Sequence, residues 1–232
     1  MSRFEGLTKL AEGPAARLLA KANAKIETKL DLPAASDAST VLAALDEKHA
    51  HTDILRLLSV ALPVREGVWW ACLAARDMIP EGTKPLPATL ETAEAWVFKP
   101  NDETRQQVRE AYDAADSDDP ATLCAAAVSM SDGTLGPGDL AQYPAAPGIS
   151  ETSIFGMNLI ALGEKAEEFD HYIQVLIERA IDIAKGGNGT IDPAAVEPRI
   201  APDEDDEDDD EDEDDLDDDE EDEDDEEEED MQ

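Results

Sequence analysis

Chemistry in a protein begins with nucleophiles, bases and metal ligands, and this chain offers few of them. His49 and His51 form a His-x-His pair. On a strand that spacing puts both imidazoles on one face, where they could share a metal; on a helix they diverge. The pair falls where a helix is expected to end, so it reads as structural or solvated. Cys72 and Cys124 lie in apolar helical surroundings with no cation beside them to draw out a thiolate, and read as buried reduced thiols. His171, between Asp170 and Tyr172, reads as a boundary residue. Asp116, Asp118 and Asp119 suit caps and turns, because a calcium loop also needs a central glycine and a distal glutamate. The stretch GTLGPG, residues 133–138, lacks the Lys-Ser/Thr that completes a phosphate loop. No catalytic residue, metal ligand or cofactor site is assigned, and the chain is read as non-enzymatic.

Residues suited to docking are easier to name. Trp69 and Trp70 sit side by side in LPVREGVWWACLAARDMI, residues 62–79. At about 100° per residue, Val68, Cys72, Ala75 and Ile79 share one helical face, and the tryptophans fall on its opposite margins. Trp69 lies beside Arg65 and Arg76, where a cation–π contact is expected. Trp70 lies beside Glu66 and Asp77, where its indole N–H would find an acceptor. A helix apolar nearly all round is a central packing helix, with either tryptophan able to border a groove. Trp69, Trp70 and Arg76 are therefore partner-binding candidates. Leu135 and Tyr143 join them from the Gly/Pro loop GTLGPGDLAQYPAAPGI, residues 133–149, since a loop of that length inside a domain is usually functional.

Charge supplies the remaining candidates. The chain of 232 residues carries a formal net charge of −40. Of the 58 acidic residues, 27 fall between Asp203 and Asp230, where only Leu216 interrupts them. Such a block repels itself and is expected to be disordered. Asp203, Asp210, Asp218 and Glu226 represent it as partner contacts. Three readings compete for this run: it attracts a basic partner over long range, it mimics nucleic acid and sequesters a basic protein, or it only keeps the protein soluble. Lys and Arg are not clustered as phosphate contacts require, so direct nucleic-acid binding is excluded, as is docking on anionic membranes. The N-terminal stretch has no continuous apolar segment of a signal peptide, and no run approaches 18 apolar residues, so a cytoplasmic location without membrane insertion is expected.

The elements that must position these residues are helical. Residues 4–25 read as a weak helical arm broken near Gly13-Pro14, ordering against a partner. Ser36 or Asp37 caps a helix over 38–50, and Thr52 caps the next. Pro63 ends that helix and turns the chain back into the Trp-Trp helix, as in an antiparallel helical hairpin. Helices follow over 89–98, from a cap at Asn101 or Asp102 to about 115, and from Asp119-Pro120 towards Gly133. Ser150 caps a helix to about Leu162. The last helix, 166–185, carries Phe169, Ile173, Leu176, Ile177, Ala180 and Ala184 on one face and closes at Gly186. No segment shows clean period-2 alternation. The predicted fold is all-α: packed antiparallel helical hairpins in a bundle or short solenoid-like stack. The expected divisions are an arm over 1–35, a helical domain over 36–187, a linker over 188–202 and the acidic tail over 203–232.

The segments LPVREGVWWACLAARDM, LETAEAWVFKPNDETRQQVREAYDAAD and YIQVLIERAIDIAKGG, with the Gly/Pro loop between the last two, resemble a family of uncharacterised bacterial helical proteins. Its members share a Trp-Trp helix, an Ala-Trp-Val segment, a Gly/Pro-rich loop and a terminal helix ending in glycine, and some are associated with type VI secretion-like gene clusters. The resemblance covers about 60–187 and brings no catalytic residues. It does not reach the acidic tail, and it implies a fold and a secretion-associated context rather than a mechanism. The absence of a catalytic site, the Trp-bounded helix, the long loop and the tail together point to a non-enzymatic cytoplasmic adaptor, scaffold or chaperone-like accessory protein for protein partners, whose acidic tail meets a basic surface. The alternatives are an acidic nucleic-acid mimic and an enzyme with its site near the Gly/Pro loop.

Overall fold

A computed structural model of the chain describes residues 2–116, 118–119 and 121–199. Asp203, Asp210, Asp218 and Glu226, and the expected first-turn Pro120, lie outside the described residues. Among those described there are nine α-helices and no strand: α1 (Ala15–Lys21), α2 (Ala38–Glu47), α3 (His51–Ala61), α4 (Val64–Met78), α5 (Ala88–Phe98), α6 (Asp102–Asp113), α7 (Thr122–Ser129), α8 (Ile149–Glu164) and α9 (Phe169–Ala184).

Local chemistry accounts for most boundaries. Asp37 caps α2 by accepting from Thr40 N at 2.8 Å. Those hydrogen bonds from Thr40 also hold its carboxyl below the usual range. Asn101 and Thr104 form a reciprocal capping box at the start of α6. Two expected caps are replaced. Thr52 lies inside α3, because His49 adopts φ 51° and the helix starts at His51. Ser150 lies inside α8, which starts from left-handed Gly148; its hydroxyl donates instead to Ala127 O at 2.8 Å, tying α8 to α7.

The helices form a bundle rather than a stack. In a solenoid each element touches its neighbours in sequence. Here α8 packs against α3, α4, α7 and α9, and α4 packs against α5, α7, α8 and α9. The expected hairpin of α3 and α4 is not formed: Leu62 and Pro63 are both extended (ψ 140° and 145°), so α4 leaves α3 and α8 lies against both. Gly67 marks how closely α4 meets α8, since a Cβ there would stand 2.7 Å from Ile154 Cδ1.

Both flanks join this core. The N-terminal stretch, expected to order against a partner, is seated on the chain's own helices: Phe4, Leu7, Ala15 and Leu19 are buried in the common core. Lys9 N donates to Ala184 O at 2.9 Å and Ala11 N to Ala61 O at 2.7 Å. Residues 24–32 have no regular secondary structure, and Ile26, Leu30 and Leu32 pack against the core. The buried carboxylate of Asp53 holds this strip by accepting from Glu27 N and, at 2.8 Å, from Thr28 N. On the other flank, Ile191 and Val196 pack on the core, and Arg199 pairs with Asp46 at 3.0 Å.

Candidate docking surfaces

The two tryptophans have different environments. Trp70 is 0% exposed, and its Nε1 donates to Leu176 O in α9 at 2.9 Å. It is therefore removed from the docking candidates. Its expected acceptors look elsewhere: Asp77 accepts from Tyr172 Oη at 2.9 Å and from Arg179 Nη1 at 2.5 Å, a link from α4 to α9. Burial and the Asp77 charge push the Tyr172 phenol well up.

Trp69 is half-buried. Its Nε1 donates to Asn188 O at 2.7 Å, and its ring meets Phe98 edge-on with centroids 5.6 Å apart. The expected cation–π contacts are absent because both arginines have other partners: Arg65 Nε donates to Val97 O at 2.6 Å, and Arg76 forms a fork with Glu94 of α5. That pairing raises the pKa of Arg76. Arg76 is thus exposed but engaged with the buried Glu94, and it does not line the groove beside Trp69.

That groove is a cleft of about 260 Å³ walled by Trp69, Val97, Phe98 and Ile183, with Lys9, Arg65 and Glu66 at its rim. Phe98 is 72% exposed, an unusual state for a phenylalanine. Its signal was present in the order Trp96-Val97-Phe98: three consecutive large apolar residues span about 200° of a helix, so one must face outward.

The second surface is the loop between α7 and α8. Leu135, Leu140 and Tyr143 are each about half exposed (51%, 49% and 53%). The loop is braced by backbone hydrogen bonds between its two arms. Leu135 N donates to Tyr143 O at 3.0 Å, Ala145 N to Gly133 O at 2.9 Å, and Thr134 N to Asp132 Oδ1 at 3.0 Å. At its foot Asp132 pairs with Arg109 at 2.9 Å. Its far end is pinned at Gly148, where φ is 75° and a Cβ would fall 1.9 Å from Ala22 O. The structure thus brings Leu135 and Tyr143 together and adds Leu140, which the sequence reading did not single out. None of the three lines the Trp69 cleft of its own chain.

His49 and His51 meet edge-on at 5.9 Å, at the junction of α2 and α3. Burial holds the His51 imidazole below its usual value, and the Arg3 and His49 charges add to this. Among the described residues no group of three or more His, Cys, Asp or Glu side chains is arranged to hold a metal ion. The Cys72 and Cys124 thiols are buried and free, one on α4 and the other on α7. The neighbouring Cys124 side chain and burial push the Cys72 thiol well up, which disfavours the thiolate. Asp119 accepts from Ala121 N at 2.8 Å and from Thr89 Oγ1 at 2.6 Å, a turn and tie role. His171 Nε2 donates to Pro193 O at 2.9 Å on the surface. No helix of the described residues is long and apolar enough to cross a membrane.

No curated protein and no solved structure matches the chain. A family model does, over residues 41–184, a span that holds the Trp-Trp helix, Phe98 and the braced loop. The chain belongs to that family, described as a family of unknown function, DUF6931.

Proposed function

We propose that the chain is a non-enzymatic adaptor or chaperone-like accessory protein that binds protein partners. The observation that carries this reading is the loop over 133–149: it fixes its own backbone by hydrogen bonds and spends that order on holding Leu135, Leu140 and Tyr143 in solvent. A pre-ordered surface loses little conformational entropy on binding, and exposed apolar side chains gain from burial. The 27 carboxylates between Asp203 and Asp230 give a second, long-range handle for a partner with a basic surface. In this reading the partner belongs to a bacterial, secretion-associated gene cluster, as the sequence resemblance suggests, and the two proteins meet in the cytoplasm.

The test compares capture of proteins from the native cytosol by the full chain and by its Leu140→Asp/Tyr143→Asp variant. Both sites are half exposed, so the fold is expected to survive, and circular dichroism checks it. A partner retained by the wild type and lost by the variant supports the reading. A partner bound equally by both shows that the loop is not the docking surface.

A further inference from the structure

We propose that the braced loop of one chain docks in the Trp69–Phe98 cleft of a second copy. This rests on the loop being a docking surface, as proposed above, and commits it to one occupant. Three observations point there. The first is size: the cleft of about 260 Å³ exceeds the ~150 Å³ apolar cavity that admits a benzene-sized ring, so it has room for the Tyr143 phenol or the Leu140 side chain. The second is matching character, because the loop tip is apolar and so are the cleft walls, with Phe98 left largely exposed as one of them. The third is charge. The tip carries one carboxylate, Asp139, between Leu135 and Tyr143. The cleft rim carries Lys9 and Arg65 against Glu66, which is already paired with Lys9 at 3.3 Å.

Where two chains exchange loop and cleft reciprocally the contact closes a two-fold pair; where each chain gives its loop to one neighbour and its cleft to another it builds rings or open chains. It also has an unusual salt response. Each copy carries a formal net charge of −40, so copies repel. Raising ionic strength from about 0.15 M to 1 M shortens the screening length from about 8 Å to 3 Å, and an apolar contact between like-charged chains strengthens. Capture of a basic partner by the acidic run weakens over the same range.

Sedimentation velocity on the full chain, over rising protein concentration at both salt levels, tests this. Species larger than a monomer are expected, more of them in 1 M salt. Phe98→Asp and Tyr143→Asp change residues that are 72% and 53% exposed, so both variants are expected to fold, and circular dichroism confirms it. Each alone is expected to weaken association about 30-fold or more, the scale of an interface hot spot. Mixed in equal amounts they are expected to restore a one-to-one complex and nothing larger, because the pair retains one intact cleft and one intact loop. A wild type that is monomeric at about 1 mM in 1 M salt overturns the inference. So do variants that associate like the wild type, or a mixture that stays monomeric while the wild type assembles. A monomeric wild type that still captures a foreign partner through Leu140 and Tyr143 overturns this inference alone and leaves the adaptor reading standing.

Discussion

Replacing each tryptophan of the pair by phenylalanine separates a core role from a surface role within one dipeptide. Trp70 is 0% exposed, and truncating such a side chain to alanine costs about 3–5 kcal/mol. Phenylalanine keeps one ring, so roughly half of that, about 2 kcal/mol, remains as lost contact and cavity. The lost bond to Leu176 O adds about 1 kcal/mol. No larger penalty arises, because Leu176 lies within α9, whose own ladder still gives its carbonyl a donor. Trp70→Phe is therefore expected to cost about 3 kcal/mol. Trp69→Phe keeps the edge-on contact with Phe98 and loses mainly the bond to Asn188 O, about 1 kcal/mol. For a domain near 200 residues, 1 kcal/mol moves Tm by about 2–4 °C. The two variants should therefore differ several-fold: a drop of about 6–12 °C against about 2–4 °C. Far-UV circular dichroism is the readout, since tryptophan fluorescence is itself changed. Equal losses, or a greater loss for Trp69→Phe, would refute the assignment of Trp70 to the core and Trp69 to the cleft.

Gly148→Ala is expected to be among the most damaging single substitutions. It forces a side chain into the left-handed region and places its Cβ 1.9 Å from the backbone oxygen of Ala22, which no rotamer relieves; soluble yield and a Tm near the wild-type value would count against that geometry. A pH dependence follows from His51, whose folded pKa lies below its unfolded value near 6.5 because of burial and the charges of Arg3 and His49, with Asp46 and Asp170 opposing. The unfolded chain then binds the proton more readily, so the contribution of His51 is complete above about pH 6.5 and is lost as pH falls through the lowered folded value. Tm measured from pH 7.5 to 5 should fall less steeply for His51→Gln than for the wild type, and parallel curves would contradict the shift.

The helical composition was readable because it is written locally. Asp37 and Asn101 announce α2 and α6 by side chains that reach their own helix starts, and the apolar period of α9 holds from Ile173 to Ala184. Phe169 breaks that period: it lies at the first turn, where the face is no longer covered, and is 45% exposed. What could not be read is which helices meet. Pro63 does stop α3, but whether the chain then reverses depends on what fills the space beside α3, and α8, arriving some 90 residues later, fills it. The seating of the N-terminal stretch is illegible in the sequence for the same reason. Its few large apolar residues look insufficient alone, yet Phe4 and Leu7 need only a small patch on helices already packed, and Asp53, far along the chain, supplies the acceptor that orders residues 27 and 28.

The docking surfaces show where local reading ends. A helical wheel placed both tryptophans on the margins of the buried face of α4, and margins are decided by neighbours rather than by the helix itself. α9 covers Trp70 and gives it a carbonyl; α5 and the chain after α9 only frame Trp69, with Phe98 on one side and Asn188 on the other. The cleft therefore owes its depth to two helix C-termini, at Phe98 and Ala184, ending beside the same face of α4. Helix ends expose carbonyls and negative dipole, which favours cations there. Arg65 answers that demand at the end of α5 by donating to Val97 O, and the Lys9 backbone N–H caps the end of α9 by donating to Ala184 O. The positive charge at the rim is thus built into how the two helices stop, and it sits against apolar walls. A ligand suited to this cleft is consequently apolar first, with at most a single carboxylate to meet the one positive charge that Glu66 leaves uncompensated, which is the chemistry carried at the tip of the braced loop.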